Sequence, residues 1–359
     1  MNNKILAIAL VLFILIMACS SGEKSLGTEE PITDSETLVV DTEPPSTGPT
    51  QAPPPATPSI DLPHSIPASG KGNLVGQVRW NETGAAGIDL KICTEFSWFG
   101  GCKGTIYTAT SDAEGIYIFK DVDPGQYALT LKVFETDKWL YMTTGLMTER
   151  MYTVKSDETT EVGVSDIYKA DLKAVQPTEK AKVAEAKPVL KWEAYEDAVS
   201  YEIWLNPEKG DSVAIYEELT TNEYTPAEDL FNCEYTWKVE AFNTNGTKIS
   251  EMDDYRYFTV TGAQYNCTIK VIKPLNNASV PSSGIELEWE AHPLADYYKL
   301  FMWPESDSNT HILDFIEVRE TTFTITDTLQ PGKYVLSIYV YDANDKQIAG
   351  SGITYLIVK

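Results

Sequence analysis

The chain has 359 residues, 43% of them hydrophobic, enough to build buried cores, and at ~100 to 200 residues per domain the length predicts two or three of them. Its 53 acidic residues against 28 basic ones give a formal net charge of −25. A polyanion repels phosphate backbones and acidic headgroups, which excludes nucleic acid and purely electrostatic membrane docking as partners.

Lys4 followed by the apolar run Ile5 to Met17 reads as an export signal, and the run is too short to span a bilayer, which takes about 20 residues. It ends Ile16-Met17-Ala18-Cys19, which resembles the bacterial lipobox. The resemblance implies that residues 1–18 are removed and that Cys19 is acylated as the new N-terminus. Two or three acyl chains anchor stably where one binds marginally. The membrane is then a partner through lipid alone, and the place is extracytoplasmic, with Ser20 compatible with the outer membrane or cell surface. Residues 19–72 are rich in Pro, Thr, Ser and Glu, with Pro53, Pro54 and Pro55 at the centre. Such a segment buries no core and is predicted to be a disordered linker. Extended at ~3.1 Å per residue it would reach at most about 160 Å. Composition leaves open whether that reach is used or the linker is passive.

From Asn73 short alternating segments are punctuated by Gly, Pro, Asn and Asp, the pattern of an all-β sandwich. Leu74-Val75-Gly76-Gln77-Val78 begins it, Ile88, Leu90 and Ile92 alternate, and Ile106 and Tyr107 lead another strand. Asp112 to Gly115 turns into Ile116 to Phe119, and Tyr127, Leu129, Leu131 and Val133 alternate before Val162, Val164 and Ile167 close the unit near residue 170. Gly76-Gln77-Val78, Thr110 to Phe119 and Pro124-Gly125-Gln126-Tyr127-Ala128-Leu129 together resemble the carboxypeptidase regulatory-like family, over 73–170. That resemblance implies a transthyretin-like sandwich with an accessory role; some related folds bind carbohydrate, and no catalysis is implied.

The remainder holds an internal repeat. Leu190, Trp192, Ala198, Tyr201 and Ile203 recur 97 residues later as Leu287, Trp289, Ala295, Tyr298 and Leu300. Tyr235, Trp237, Val239 and Ala241 alternate, as do Tyr334, Leu336, Ile338 and Val340. The pattern resembles fibronectin type III, with a core Trp on the second strand and a Tyr opening the sixth as a tyrosine corner. Leu230 and Leu329 lie five residues before those tyrosines, where the family more often has six. The expected fold class is all-β, three tandem sandwiches over 73–170, 171–262 and 263–359.

Catalysis, metals and cofactors are not expected. His64 sits in the linker, His292 and His311 lack ligand-spaced neighbours, and no phosphate loop, dinucleotide fingerprint or nucleophile elbow is present. Paired acids such as Glu217-Glu218 and Asp253-Asp254 read as solvated surface, and Asp121 with Asp123 as at most a weak calcium candidate. Trp192, Trp204, Trp237 and Trp289 alternate with polar residues and are assigned to cores.

Four cysteines remain after Cys19, in a chain leaving the reducing compartment, so disulfides are expected. Cys93 and Cys102 close a short loop carrying Phe96, Trp98 and Phe99. Those rings either form a stapled recognition loop, which a sugar face or protein groove could stack upon, or fold back as a lid on their own domain. Cys233 and Cys267 fall at the pole where the first repeat hands over to the second, and their bond would stiffen that hinge; pairings across domains stay open. Two functional readings follow. One is a recognition module for a glycan or an envelope protein, and the other a structural spacer in an envelope complex.

Overall fold

A computed structural model describes residue 62 and residues 65–97, 100–134, 136–145 and 148–359. Cys19, residues 1–18 and most of the 19–72 linker lie outside the described residues. Among the described residues every regular element is a strand, as the alternation predicts, and three hydrophobic cores succeed one another along the chain.

The first sandwich closes around Leu74, Ile92, Tyr117, Phe119 and Leu129. In one sheet Gly72–Trp80 pairs antiparallel with Ile116–Val122 and parallel with Thr159–Asp166. The other runs in the order Met151–Val154, Gly125–Lys132, Asp89–Ser97, Gly101–Thr110, with Trp139–Tyr141 on the far half of Gly125–Lys132. The signature glycines have physical causes. A Cβ on Gly76 would lie 2.5 Å from the Tyr117 hydroxyl, and Gly115 has a φ of +75° that other residues reach only with strain. The Asp112 carboxylate fixes that turn by accepting the Ile116 amide at 2.8 Å.

Residues 65–71, assigned from composition to the linker, belong to this sandwich. Asn73 Nδ2 donates to the Ser65 carbonyl at 2.7 Å, and the Ala68 amide donates to Asp121 at 2.6 Å. These contacts are polar, so hydropathy does not register them.

Each repeat packs a three-stranded sheet on a larger one. In the first, Leu190–Trp192 lies between Ala174–Gln176 and Glu223–Tyr224, facing a sheet in which Ser200–Pro207 pairs with Glu234–Phe242 and Ala214–Leu219. In the second, Ile285–Trp289 lies between Val271–Lys273 and Thr322–Ile325, and Tyr297–Pro304 pairs with Gly332–Tyr341 and Leu313–Val318. This is a fibronectin type III-like sandwich in both copies. The shared Trp-to-Tyr spacing becomes the same contact twice: Trp192 meets Tyr201, and Trp289 meets Tyr298, edge to face with ring centroids 5.4 Å apart.

Both tyrosine corners form. The Tyr235 hydroxyl accepts the Phe231 amide at 3.0 Å, and the Tyr334 hydroxyl donates to the Gln330 carbonyl at 2.9 Å, with Leu230 and Leu329 buried beside them. Tyr127 makes the same bond to the Asp123 carbonyl, 2.9 Å, so Pro124-Gly125-Gln126-Tyr127 builds a third corner in the first sandwich. One assignment is corrected. Trp192, Trp237 and Trp289 are core residues, but Trp204 is not. It alternates with buried Ile203 and Leu205, so the period of two turns it outward, where it packs on Tyr255 with centroids 5.0 Å apart.

Candidate functional site

The outward face of the first sandwich carries a groove beside the predicted site residue Phe96. Leu90, Ile92, Leu129 and Leu131 point into the core, so Lys91, Cys93 and Thr130 on the same strands point away from it. The Cys93–Cys102 disulfide forms here, with Cα atoms 5.5 Å apart, and staples the hairpin of Asp89–Ser97 and Gly101–Thr110. Beyond the staple, Phe96 turns back over its own sandwich and lays its ring against Tyr141, centroids 4.5 Å apart. Trp98 and Phe99, the other two rings of the predicted loop, lie outside the described residues.

The hairpin and the Trp139–Tyr141 strand bound an open groove of about 240 Å³ lined by Lys91, Gly100, Cys102, Thr130, Trp139 and Tyr141. Thr130 forms its buried floor, where its hydroxyl lies 3.4 Å from the Lys91 carbonyl. Lys91 Nζ sits 3.9 Å over the Trp139 ring, so cation and indole form one composite surface. Sequence reasoning reached the hairpin but not Lys91, Thr130, Trp139 or Tyr141. The available signal was Trp139-Leu140-Tyr141, where one core residue separates two aromatics that must face away from the core.

Sequence reasoning also missed the joint between the first and second sandwiches. Asn81 and Glu82 both have positive φ, 48° and 65°, and make the tight turn that ends Gly72–Trp80. The turn docks into the 243–247 loop: Asn243 Nδ2 donates to Asn81 Oδ1 at 3.0 Å, the Thr247 hydroxyl donates to Glu82 at 3.0 Å, and Trp80 Nε1 donates to the Ile249 carbonyl at 2.7 Å. Lys169 Nζ covers the Trp80 ring at 3.6 Å. The Thr247 hydroxyl is the main cause holding the Glu82 carboxyl below its ordinary range.

At the second joint Cys233 and Cys267 are bonded, as expected. Phe231 packs against the cores of both repeats. His292 is buried there, with Nε2 3.0 Å from the Asn266 carbonyl, and desolvation keeps its imidazole below the usual range. Asp211 and Gln347 exchange two bonds across the joint: the Asp211 amide donates to the Gln347 carbonyl at 2.7 Å, and the Gln347 amide donates to the Asp211 carboxylate at 2.9 Å.

Among the described residues no group of three or more His, Cys, Asp or Glu side chains could hold a metal. The calcium candidates are engaged by the chain itself: Asp121 accepts the Ala68 amide, and Asp123 pairs with Lys71 and the Tyr107 hydroxyl. His64 lies outside the described residues, and His311 packs on Phe301 with Asp314 3.2 Å away.

No protein-family model matches the chain, and no curated protein matches it. Among solved structures it is similar to the FN1-FN3 domains of chicken CNTN1, with 11% identity, 83% of this chain and 98% of that one covered, and a TM-score of 0.22. It is also similar to the fibronectin(III)-like modules of Clostridium thermocellum CbhA, with 14% identity, 52% and 92% covered, and a TM-score of 0.20. A two fibronectin type-III domain segment from chicken tenascin gives 14%, 53% and 97%, and 0.22. At these scores the likeness assigns no activity and no partner.

Proposed function

We propose that the chain is a non-enzymatic surface lipoprotein, anchored through an acylated Cys19 on the extracytoplasmic side of a bacterial membrane. In this reading its first sandwich, a carboxypeptidase regulatory-like module, recognises a glycan or an envelope protein, and the two repeats carry it. The observation that supports recognition is the groove: a disulfide-fixed hairpin on one side, Trp139 and Tyr141 on the other, and Lys91 between them. A wall ordered before contact loses little conformational entropy on binding. The test is a glycan array and an envelope-protein pulldown with the full chain and its Trp139→Ala variant. Capture that the variant loses supports recognition at the groove, whereas capture of nothing by either chain removes the reading.

The spacer reading is favoured by a different observation, the two joints, where polar, aromatic and covalent contacts tie successive sandwiches. It predicts that Trp80→Ala disturbs envelope co-purification while Trp139→Ala does not. The converse result favours the groove. Lipidation is checked separately: Cys19→Ser should move the protein out of the membrane fraction.

A further inference from the structure

His292 stands at the second joint with both ring nitrogens engaged. Nε2 lies 3.0 Å from the Asn266 carbonyl, and Nδ1 lies 3.3 Å from the Leu294 amide. A carbonyl can only accept and an amide can only donate, so the two partners fix one neutral tautomer, with the proton on Nε2 and the lone pair on Nδ1. The third sandwich sets the residue in place through the His292 amide, which donates to the Tyr298 hydroxyl at 3.1 Å. The ring also meets the preceding sandwich, edge to face with Phe231 at 5.9 Å between centroids, and lies 6.2 Å from the Tyr265 ring. The carbonyl that it holds belongs to a segment tied to the second sandwich. Asn232 donates its amide to the Tyr265 carbonyl at 2.7 Å and its Nδ2 to Asn266 Oδ1 at 3.1 Å, and its own carbonyl accepts the Cys267 amide at 3.2 Å. Residues 265–267 are therefore gripped by Asn232 from one sandwich and by His292 from the next.

We infer that His292 is a proton-sensitive latch on the joint between the two repeats: the neutral imidazole closes it, and the imidazolium loosens it while the Cys233–Cys267 bond keeps the sandwiches tethered. Protonating Nδ1 sets an N–H against the Leu294 N–H and places a charge beside Phe231 and Tyr265. A buried charge without an anionic partner is costly. The titratable groups that meet His292 are phenols, those of Tyr265 and Tyr298. Carboxylates on the neighbouring segments are engaged by other groups: Glu290 with Lys270, Asp296 with Arg319, Glu228 with Lys346, Asp229 with Lys187, and Asp211 with the Gln347 amide. Burial is accordingly the main cause that holds the imidazole below its ordinary range, with the Asn266 carbonyl working against it. An imidazole that is lowered in the closed joint and ordinary in the open one favours closure fully above about pH 6.5, and this preference is lost as pH falls towards the lowered value. One proton is taken up on opening, so the open population rises up to about tenfold per pH unit in that window.

The test is hydrogen exchange of the full chain between about pH 7.5 and about pH 5.5, above the range where ordinary carboxylates titrate, with rates corrected for the chemical exchange rate at each pH. Proton NMR of the histidine C2–H signals is run over the same range, and thermal melts confirm that each variant folds. The inference predicts that exchange at residues 231–233 and 263–267 quickens by up to about tenfold over the pH unit below about 6.5 in the wild-type chain. It predicts no such change in His292→Gln, whose side-chain amide can still donate to the Asn266 carbonyl but takes up no proton. His311→Gln, on the face where His311 packs on Phe301, should leave the quickening in place. Wild-type exchange that does not respond to pH would overturn the inference, and so would a response that persists in His292→Gln. Should His292→Gln exchange fast already at about pH 7.5, the wild-type chain decides. A His292 C2–H midpoint that coincides with the exchange midpoint then supports the latch, and one that does not overturns it.

Discussion

The two repeats share a core and differ on the outward face of the same sheet. One row across that sheet makes the contrast plain. In the first repeat the residues in register are Glu218, Glu202, Glu240 and Glu251; in the second the corresponding row is Glu317, Lys299, Tyr339 and Gly350. The first row sets four carboxylates side by side, eased at one end by Lys238 and Lys248. The second sets Glu317 against Lys299 and continues through Tyr339 to Gly350, and aromatics flank it, with Lys299 Nζ 4.5 Å over Tyr341 and Phe315 stacked on Phe301 at 4.6 Å. Sequence duplication therefore preserved what packs inward and left the outward residues to diverge, and each copy can be broken or repaired to measure how much either layer matters.

The largest effect should come from the layer the copies share. Trp192→Ala and Trp289→Ala each remove a fully buried indole and its edge-to-face tyrosine contact, and each should cost about 3 to 5 kcal/mol in denaturant melts. A loss below about 1 kcal/mol in one copy only would show that the two cores are not equivalent.

The next effect separates the copies. At the corner where the other two sandwiches have Gly125 and Gly332, two residues before the corner tyrosine, the first repeat has Cys233, bonded to Cys267. Replacing both cysteines by serine frees a loop of sequence separation 34, which the loop-entropy model values at about 3 to 4 kcal/mol. The melt should then fall, with limited proteolysis newly cutting near residues 261–267. An unchanged melt would mean that Phe231 and the Asp211–Gln347 bonds alone secure the joint.

The tyrosine corners give a smaller and sharper comparison. Tyr334→Phe should cost about 0.5 to 1.5 kcal/mol, the net worth of one hydrogen bond. Tyr235→Phe removes two bonds, because the Tyr235 hydroxyl accepts the Phe231 amide and also donates to the Phe231 carbonyl at 3.2 Å, so it should cost at least as much, and more once Cys233 and Cys267 are serine and the disulfide no longer restrains the corner. A double-mutant cycle that returned no coupling would break that argument.

How much of this was legible in the sequence follows the same division. Core positions repeat a spacing, so Trp192 and Tyr201 could be matched to Trp289 and Tyr298 before any contact was seen, and the glycines of the first sandwich marked turns that only they could make. Trp204 shows the limit: a large aromatic inside an alternating strand reads as core until the register decides which parity faces inward. The groove lies further beyond reach. Lys91, Thr130 and Trp139 come from three strands, and only the pairing of Lys91 with Thr130 and of Lys132 with Trp139 brings them to one face. Cysteine parity pointed to both staples because a covalent link needs two residues of one kind, whereas Trp80 binding the Ile249 carbonyl needs only a backbone partner and leaves no second residue to find.

The smallest expected effect tests the outward layer directly. Burial, with repulsion from Glu240 and Glu218, pushes the Glu202 carboxyl above the ordinary glutamate range. A raised carboxyl binds its proton more readily folded than unfolded, so its charge works against the fold at neutral pH, and that cost fades as pH falls through the raised value and both states become protonated. Glu251 has the opposite sign: burial alone would raise it, but Lys238 and Lys248 hold it below its ordinary range, so its contribution is present at neutral pH and lost on acidification. Glu202→Gln should therefore stabilise the first repeat at pH 7 by a few tenths to about 1 kcal/mol, the usual size of a like-charge cross-strand pair. Glu202→Lys, which copies the Lys299 position of the second repeat, should do the same or better. The gain should disappear below about pH 4, where an ordinary glutamate is itself protonated. Melts of both variants at pH 7 and pH 3 check this; a gain that survives at pH 3 would place its origin in packing, and the four-carboxylate row would then be no electrostatic burden on the first repeat.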